Sequence, residues 1–278
     1  MTVRLHACGF SDVGLARAHN EDTFGLDHRH GLYVVADGMG GHSHGEVAAQ
    51  IAVDAIRDYV ERSIDHDTTW PFVYDARLKR HSNLLKTAVR LAHDKVLRAI
   101  RDDDTLHGMG TTVVGFLLNG SIAAVAHVGD SRAYRFRAGQ LEQLTQDHTW
   151  VHEQVVAGFL SKEQARAHPL KNVVTRALGG ESDVAVDVRE VEVEAGDLYL
   201  LCSDGLTTML SDREIRERLG GGRTLEETAR GLVADANARG GFDNVTVVLL
   251  GVEDGDDDEE DDDEDEHDEG GEAVAEET

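Results

Sequence analysis

The sequence predicts an α+β layered fold with antiparallel sheets. Three observations carry that reading. Strand-like apolar runs group together and helical stripes group together, without strict one-by-one alternation. Asn119-Gly120 joins two apolar runs through a dipeptide suited to a tight turn between antiparallel strands. Hydrophobic residues make up 40 % of the 278, enough for a sizeable core in one large domain or two small ones.

Residues 4–27 read as short strands broken by Gly9, Gly14 and Gly25, and residues 32–36 as a buried strand. Over residues 46–62, Val47, Ile51, Val53, Ile56 and Val60 form a stripe at roughly helical spacing. Pro71 lies in the break that follows, and residues 84–100 give a second helix with Leu84, Leu85, Ala88, Leu91, Ala92, Val96 and Ile100 on one side. Two long helices in succession predict a helical layer. Residues 111–118 and 122–128 form the first hairpin, and residues 133–137 and 141–144 a second around Ala138-Gly139. Residues 147–169 turn polar and helical. Strands return at 184–193 and 198–202, helices at 212–219 and 224–238, and a last strand at 244–252. No internal repeat is visible.

The formal net charge of −27 is concentrated at one end: residues 253–278 hold 18 Asp or Glu and no Lys or Arg. The other 252 residues carry 36 acids against 27 bases. The acidic run repels itself and has little apolar surface to bury, so it reads as a disordered tail. It is either a solubilising appendage or a docking and autoregulatory segment that competes for basic partners or divalent cations. The mildly acidic remainder argues against nucleic-acid binding. No apolar run approaches the ~20 residues that span a bilayer, and the N-terminal residues show no apolar signal region, so a cytoplasmic protein without membrane attachment is expected. Cys8 and Cys202 make neither a disulfide framework nor a zinc cluster. Cys202, inside "LYLLCSDG", reads as a buried structural thiol, with a reactive thiol as the alternative.

The candidate chemistry lies where apolar runs end. "GLYVVADGMGGHSHGE" delivers Asp37 from a strand into a glycine-rich turn. "AAVAHVGDS" reaches Asp130 beside Gly129, and "DLYLLCSDG" reaches Asp204 beside Gly205. "GGFDNVTVVLL" sets Asp243 before its strand, and "ARAHNEDTFGL" offers Glu21 and Asp22 at a strand start. Any one of these acids could cap a helix or begin a turn. Brought together, they would repel one another unless cations lay between them. Oxygen ligands without cysteine favour Mg²⁺ or Mn²⁺ over Zn²⁺, and the constellation points to a two-metal hydrolase.

With these residues in hand, the sequence resembles the bacterial-type metal-dependent protein phosphatases, the protein phosphatase 2C class of Ser/Thr phosphatases. The matching segments are "SDVGLARAHNED", "VVADGMGGHSHGE", "GTTVVGFLL", "AHVGDSRAYRFRAGQLEQLTQDHT", "LLCSDGLT" and "GGFDNVTVVLL", in family order over residues 5–252. The resemblance implies a four-layer αββα fold: a central antiparallel β-sandwich flanked by helix pairs, with a metal cleft at one sandwich edge. It implies a catalytic domain over residues 1–252 with a flap near 147–170, and leaves 253–278 outside. It implies that Asp37 bridges two metals, that the Gly38 carbonyl binds the first, and that Asp204 and Asp243 hold the second. Asp22 is the expected ligand of the "NED" segment, directly or through water, with Glu21 the alternative. Asp130, with Asp204, matches the ligands of a third, weaker ion. Arg17 matches the arginine that binds the substrate phosphate.

The implied reaction is hydrolysis of phosphoserine and phosphothreonine by a water or hydroxide bridging two Mg²⁺ or Mn²⁺ ions. A guanidinium such as Arg17 can hold two equatorial oxygens of the transferring phosphoryl group. Phosphoproteins, the targets of a Ser/Thr kinase among them, are the expected partners. Many eukaryotic members carry a histidine, a proposed general acid, where this sequence has Met39. His42 is a general-acid candidate against a plain loop role. His44, His28 and His30 read as loop or turn residues. His168, at the end of the flap, is a candidate for a substrate or flap role, and Thr111 and Thr112 read as strand residues. Two rival readings are a non-catalytic module of the same fold and a phosphohydrolase of small phosphate esters. The filled ligand positions count against the first, and the ordered motifs against the second.

Overall fold

A computed structural model describes residues 3–40, 44–66 and 70–255. The expected His42 and the acidic residues 256–278 lie outside the described residues.

Strands β1 (Val3–Asp12), β2 (Asp22–Asp27) and β3 (Leu32–Met39) come first. Of the three glycines expected to break this region, only Gly14 interrupts it, at a φ of 75°. Gly9 and Gly25 lie inside continuous strands because they face neighbours at close range. A Cβ at Gly9 would sit 2.4 Å from the Phe24 ring, and one at Gly25 2.9 Å from Val53. Helices α1 (Gly45–Asp65) and α2 (Arg80–Asp102) follow and form the expected layer. β4 (Gly110–Thr111) is a short extension pairing with the end of β3.

β5 (Val113–Asn119) and β6 (Ile122–Val128) make the Asn-Gly hairpin, with Asn119 opposite Ile122. β7 (Arg132–Arg137) and β8 (Gln140–Gln143) close around Ala138 and Gly139, both at positive φ, 49° and 76°. That two-residue left-handed pair matches the twist of the strands it joins. The segment expected as a flap holds α3 (Trp150–Val156) and α4 (Lys162–Ala167), capped by Thr149 and Ser161. β9 (Asp187–Glu192) is shorter than the expected run from 184. β10 (Leu198–Cys202), α5 (Asp204–Met209), α6 (Asp212–Leu219), α7 (Leu225–Ala238) and β11 (Val245–Asp254) complete the chain. α5 has no counterpart in the sequence reading: six residues are too few for a periodic stripe. β11 runs two residues past 252 because Val3 and Arg4 of β1 pair with Asp254 and Glu253.

The strands form two antiparallel sheets, in the orders β1-β11-β10-β7-β8 and β2-β3-β5-β6-β9. Tyr33, Val35, Val114, Phe116, Tyr199, Leu201, Val248 and Leu250 fill the space between them. The opposite face of the β3 sheet packs on α1 and α2 through Val34, Ala52, Ile56, Leu85 and Val89. The opposite face of the β11 sheet packs on α5, α6 and α7 through Leu206, Ile215, Leu232 and Leu249. The order is therefore helix, sheet, sheet, helix. The central strands have both faces covered, which is why they read as continuous apolar runs. Cys202 is fully buried, and burial pushes its thiol up to about 12, so the structural reading of that cysteine is the one realised. Among the described residues no helix is long and apolar enough to cross a membrane.

Candidate metal centre

Register brings the first two acids together. β2 and β3 pair so that Asp22 lies opposite Asp37. Thr111 Oγ1 and the Thr112 N–H each donate to the Asp37 carbonyl at 2.9 Å, and the Asp37 N–H donates to Thr112 Oγ1 at 3.3 Å. The two threonines thus hold the backbone that carries Asp37. The Gly38 N–H donates to the Glu21 carbonyl at 3.1 Å. A Cβ at Gly38 would lie 2.2 Å from the Gly45 carbonyl oxygen and 2.5 Å from that of Glu21, so only glycine lets the start of α1 close over the strand.

The remaining acids arrive from the other sheet and its loops. Asp204 opens α5 directly after β10. Its neighbour Ser203 donates from Oγ to Asp22 Oδ2 at 2.8 Å and accepts the Thr246 N–H at 3.0 Å, linking β2, β10 and β11. Asp243 Oδ2 accepts from Arg17 at 2.8 Å. Asn244 ties down the loop before β2: its Oδ1 accepts the Glu21 N–H at 2.8 Å, and its Nδ2 donates to the Val13 and His19 carbonyls at 3.0 and 2.9 Å. Asp130 follows Gly129, and Ser131 Oγ meets Thr112 Oγ1 at 2.7 Å.

The five carboxylates act on one another electrostatically. Burial raises Asp22 to about 7, with Asp204 and Asp243 adding to it and hydrogen bonds from Ser203 and Thr246 opposing. Burial lifts Asp37 well above the carboxylate range, aided by Asp22, Asp204, Asp130 and Asp243. Asp130 is pushed up to about 8 by burial, then by Asp204 and Asp147. Asp204 reaches about 6 through burial and Asp243, against Arg132, Arg17 and a hydrogen bond with Asp37. Asp22 and Asp130 are buried, whereas Asp37, Asp204 and Asp243 keep part of their surface open. The Asp22 Oδ1 is buried without a hydrogen-bond partner. Carboxylates that raise one another's pKa, an orphaned carboxylate oxygen and an all-oxygen donor set fit hard divalent cations.

A cleft of about 670 Å³ opens beside Asp130 and Asp204, between the expected flap segment and α5–α6; Lys162 and Arg166 of that segment and Lys171 just after it line it. Arg132 crosses its wall with two bonds to Asp147, at 2.8 and 2.6 Å.

The structure therefore converges Asp22, Asp37, Asp130, Asp204 and Asp243 with Arg17 beside them and Gly38 in the same strand end. Glu21 Oε1 accepts the Gly45 N–H at 3.3 Å at the start of α1, and its carboxylate acts on Arg17 electrostatically, as Asp37 does. His168 packs within the flap, its ring 5.0 Å from Trp150 and its Nδ1 accepting the Leu170 N–H. His28 and His30 lie at the far end of β2; His30 Nδ1 is 2.6 Å from Asp27. His44 precedes α1 without a side-chain cap bond. Sequence reasoning missed Ser203, Asn244, Thr246 and the paired Arg132–Asp147. Ser203 and Asn244 had one available signal, their place immediately beside Asp204 and Asp243.

Comparison with known proteins agrees with this geometry. Residues 16–236 match the family model described as Protein phosphatase 2C. The chain is 40 % identical over 254 residues to a serine/threonine phosphatase of Listeria innocua, covering 88 % of this chain and 95 % of that protein. It superposes on the Mycobacterium tuberculosis serine/threonine phosphatase PstP with a TM-score of 0.80 at 37 % identity, covering 90 % of this chain and 99 % of that one. A second structure, the PstP catalytic domain in complex with two manganese ions, gives a TM-score of 0.76 at 37 % identity, covering 91 % of this chain and 100 % of that one. The ordered acids, the αββα layers and these likenesses agree: the chain belongs to the protein phosphatase 2C family of metal-dependent serine/threonine phosphatases.

Proposed function

We propose that this chain hydrolyses phosphoserine and phosphothreonine in proteins at a centre of two Mg²⁺ or Mn²⁺ ions, with a third, weaker ion beside them. In this reading Asp37 would be shared by the first two ions, with the Gly38 carbonyl and Asp22 serving the first. Asp204 and Asp243 would hold the second. Asp130 and Asp204 would hold the third. The observation that carries it is the convergence of five carboxylates, from five separate segments, each of the four shifted ones raised in pKa by its neighbours as well as by burial. Bound divalent ions supply a water ionisable near neutral pH and neutralise charge on the phosphoryl group.

The chain's own residues do the rest. Arg17, half-exposed at the rim and oriented by Asp243, is placed to take phosphate oxygens. The flap and α5–α6 form the walls that would receive the protein part of the substrate. Met39 has no proton to give, so the strand end supplies no side-chain acid at that point. The catalytic domain spans residues 1–252 with its flap near 147–170, and the acidic residues from 253 onward stand outside the chemistry. Substrates of a Ser/Thr kinase are the partners this reading implies. A cytoplasmic setting completes it, and the free thiols Cys8 and Cys202 suit a reducing compartment.

The test is Mn²⁺-dependent hydrolysis of a phosphothreonine peptide, compared with nucleotides and sugar phosphates. Asp37→Ala and Asp204→Ala are each expected to lower the peptide rate by about 10²-fold or more, with circular dichroism unchanged. Full activity in either variant overturns the two-metal reading.

A further inference from the structure

The turn that carries Asp130 is clasped from two sides. On one side is Thr112: a Cβ at Gly129 would lie 2.5 Å from the Thr112 Cβ. On the other side is His148, buried at the base of the flap. Its main-chain N–H donates to the Gly129 carbonyl at 2.9 Å. Its Nδ1 accepts the Gly129 N–H at 3.0 Å. One residue therefore satisfies both backbone polar groups of Gly129. Gly129 has a φ of 107°, a conformation left to glycine, and no side chain by which the turn could be anchored. Its two bonds to His148 and its contact with Thr112 set the direction in which the next residue, Asp130, leaves the strand.

The imidazole is itself held. Because Nδ1 accepts, the ring proton sits on Nε2, which lies 3.3 Å from Asp187 Oδ2. Asp187 Oδ1 takes Arg176 at 3.0 Å. His127 stacks on the ring at 4.7 Å, with its own Nε2 2.8 Å from the Gln146 carbonyl. His127, His148 and Asp187 are close enough together to suggest a cation site. Both nitrogens of His148 and Nε2 of His127 are already in hydrogen bonds, however, so the cluster works as a strut. His148 also roots the flap. Its carbonyl accepts the Thr175 N–H at 2.8 Å, the Trp150 N–H donates to Val173 at 2.9 Å, and Thr149 caps α3.

We infer that His148 is a positioning residue: through Gly129 it orients the Asp130 carboxylate for the third, weaker cation and joins that site to the base of the flap. The inference rests on the reading of Asp130 as a ligand of that cation.

The experiment is Mn²⁺ binding to the full chain by calorimetry, without substrate, for the wild type, Asp130→Ala, His148→Ala and His148→Asn. The Asn Oδ1 can stand where Nδ1 accepts; alanine offers nothing there. Asp130→Ala is expected to remove the weakest binding phase. His148→Ala is expected to weaken that phase by about 10-fold or more, the effect of losing a partner that orients a metal ligand, and to leave the tighter phases within about 2-fold. His148→Asn is expected to return the weak phase to within about 3-fold of the wild type. Wild-type affinity in His148→Ala overturns the inference. So does an Asn variant as defective as the Ala variant, because the acceptor would then not be what matters. No weak phase in the wild type, or an unchanged one in Asp130→Ala, removes the Asp130 reading and the inference with it. That result differs from a normal Asp130 effect with a silent His148. If His148→Ala does not fold, His148→Gln, whose oxygen falls beyond the Gly129 N–H, replaces it with the same expected loss and the same overturning result.

Discussion

Asp37 shows how one residue's role depends on its neighbours. Alone it is a strand-end acid; beside Asp22, Asp130, Asp204 and Asp243 it is a carboxylate that cannot comfortably ionise without a cation. Arg17, with Arg132, is a cation the chain itself sets beside the acids, and its bond to Asp243 leaves most of its guanidinium donors free. Arg17→Ala is expected to raise KM for a phosphothreonine peptide about 10-fold, with a smaller change in kcat, since a charge-assisted hydrogen bond contributes ~1.5–3 kcal/mol. Steady-state kinetics with an unchanged KM would count against the assignment. At this scale the acids were legible because each ends or begins an apolar run. The roles of Ser203, Asn244 and His148 were not: Ser203 and Asn244 find partners more than a hundred positions away, Asp22 and Glu21, and His148 bonds the backbone of a glycine, which carries no mark of that bond in the sequence.

The elements hold those residues still. The sandwich interior is centred on Phe116, fully buried, with its ring 4.9 Å from Tyr199 and 6.4 Å from Tyr33. Phe116→Ala is expected to cost ~3–5 kcal/mol by denaturant unfolding, through lost burial and the cavity left between the sheets. A loss below about 1 kcal/mol would mean the sheets can collapse onto the gap. The long helices and both hairpins were readable, since a stripe over more than four turns and an Asn-Gly turn are strong local signals. Gly9 and Gly25 misled because a glycine chosen for close packing looks the same in sequence as one chosen for a turn.

For the whole molecule, the acid cluster couples folding to pH and to metal. Asp22 at about 7 and Asp130 at about 8 bind protons more tightly folded than unfolded, where an aspartate titrates near ~3.9. The folded state therefore holds the extra protons until pH rises through the folded values, and stability falls along the way. The buried histidines whose pKa is lowered act in the opposite sense, but only below about pH 6.5, their unfolded value. Protein treated with EDTA is thus expected to show a lower Tm at pH 8.5 than at pH 6.5, and Mn²⁺ to raise Tm more at the higher pH. A Tm in EDTA that rises across that interval would contradict the coupling.

The residues alone dictated antiparallel sheets with helical layers, the apolar runs beside the acids and the kind of ion those acids suit, and the order of the motifs added the αββα layering through family resemblance. Apolar periodicity and residue chemistry are local properties, and the motifs stand in a recognisable order. Tertiary contacts alone set Asp22 opposite Asp37 and gave Glu21 its bond to the start of α1. They also decided that Thr112, Ser203 and Asn244 hold the backbone around the acids, and that His148 bonds Gly129, the residue before Asp130. Those outcomes depend on strand register and on hydrogen bonds between segments distant in the chain. A one-residue slip of β2 against β3 would exchange the two acids between faces, and register is fixed only when both sheets are packed.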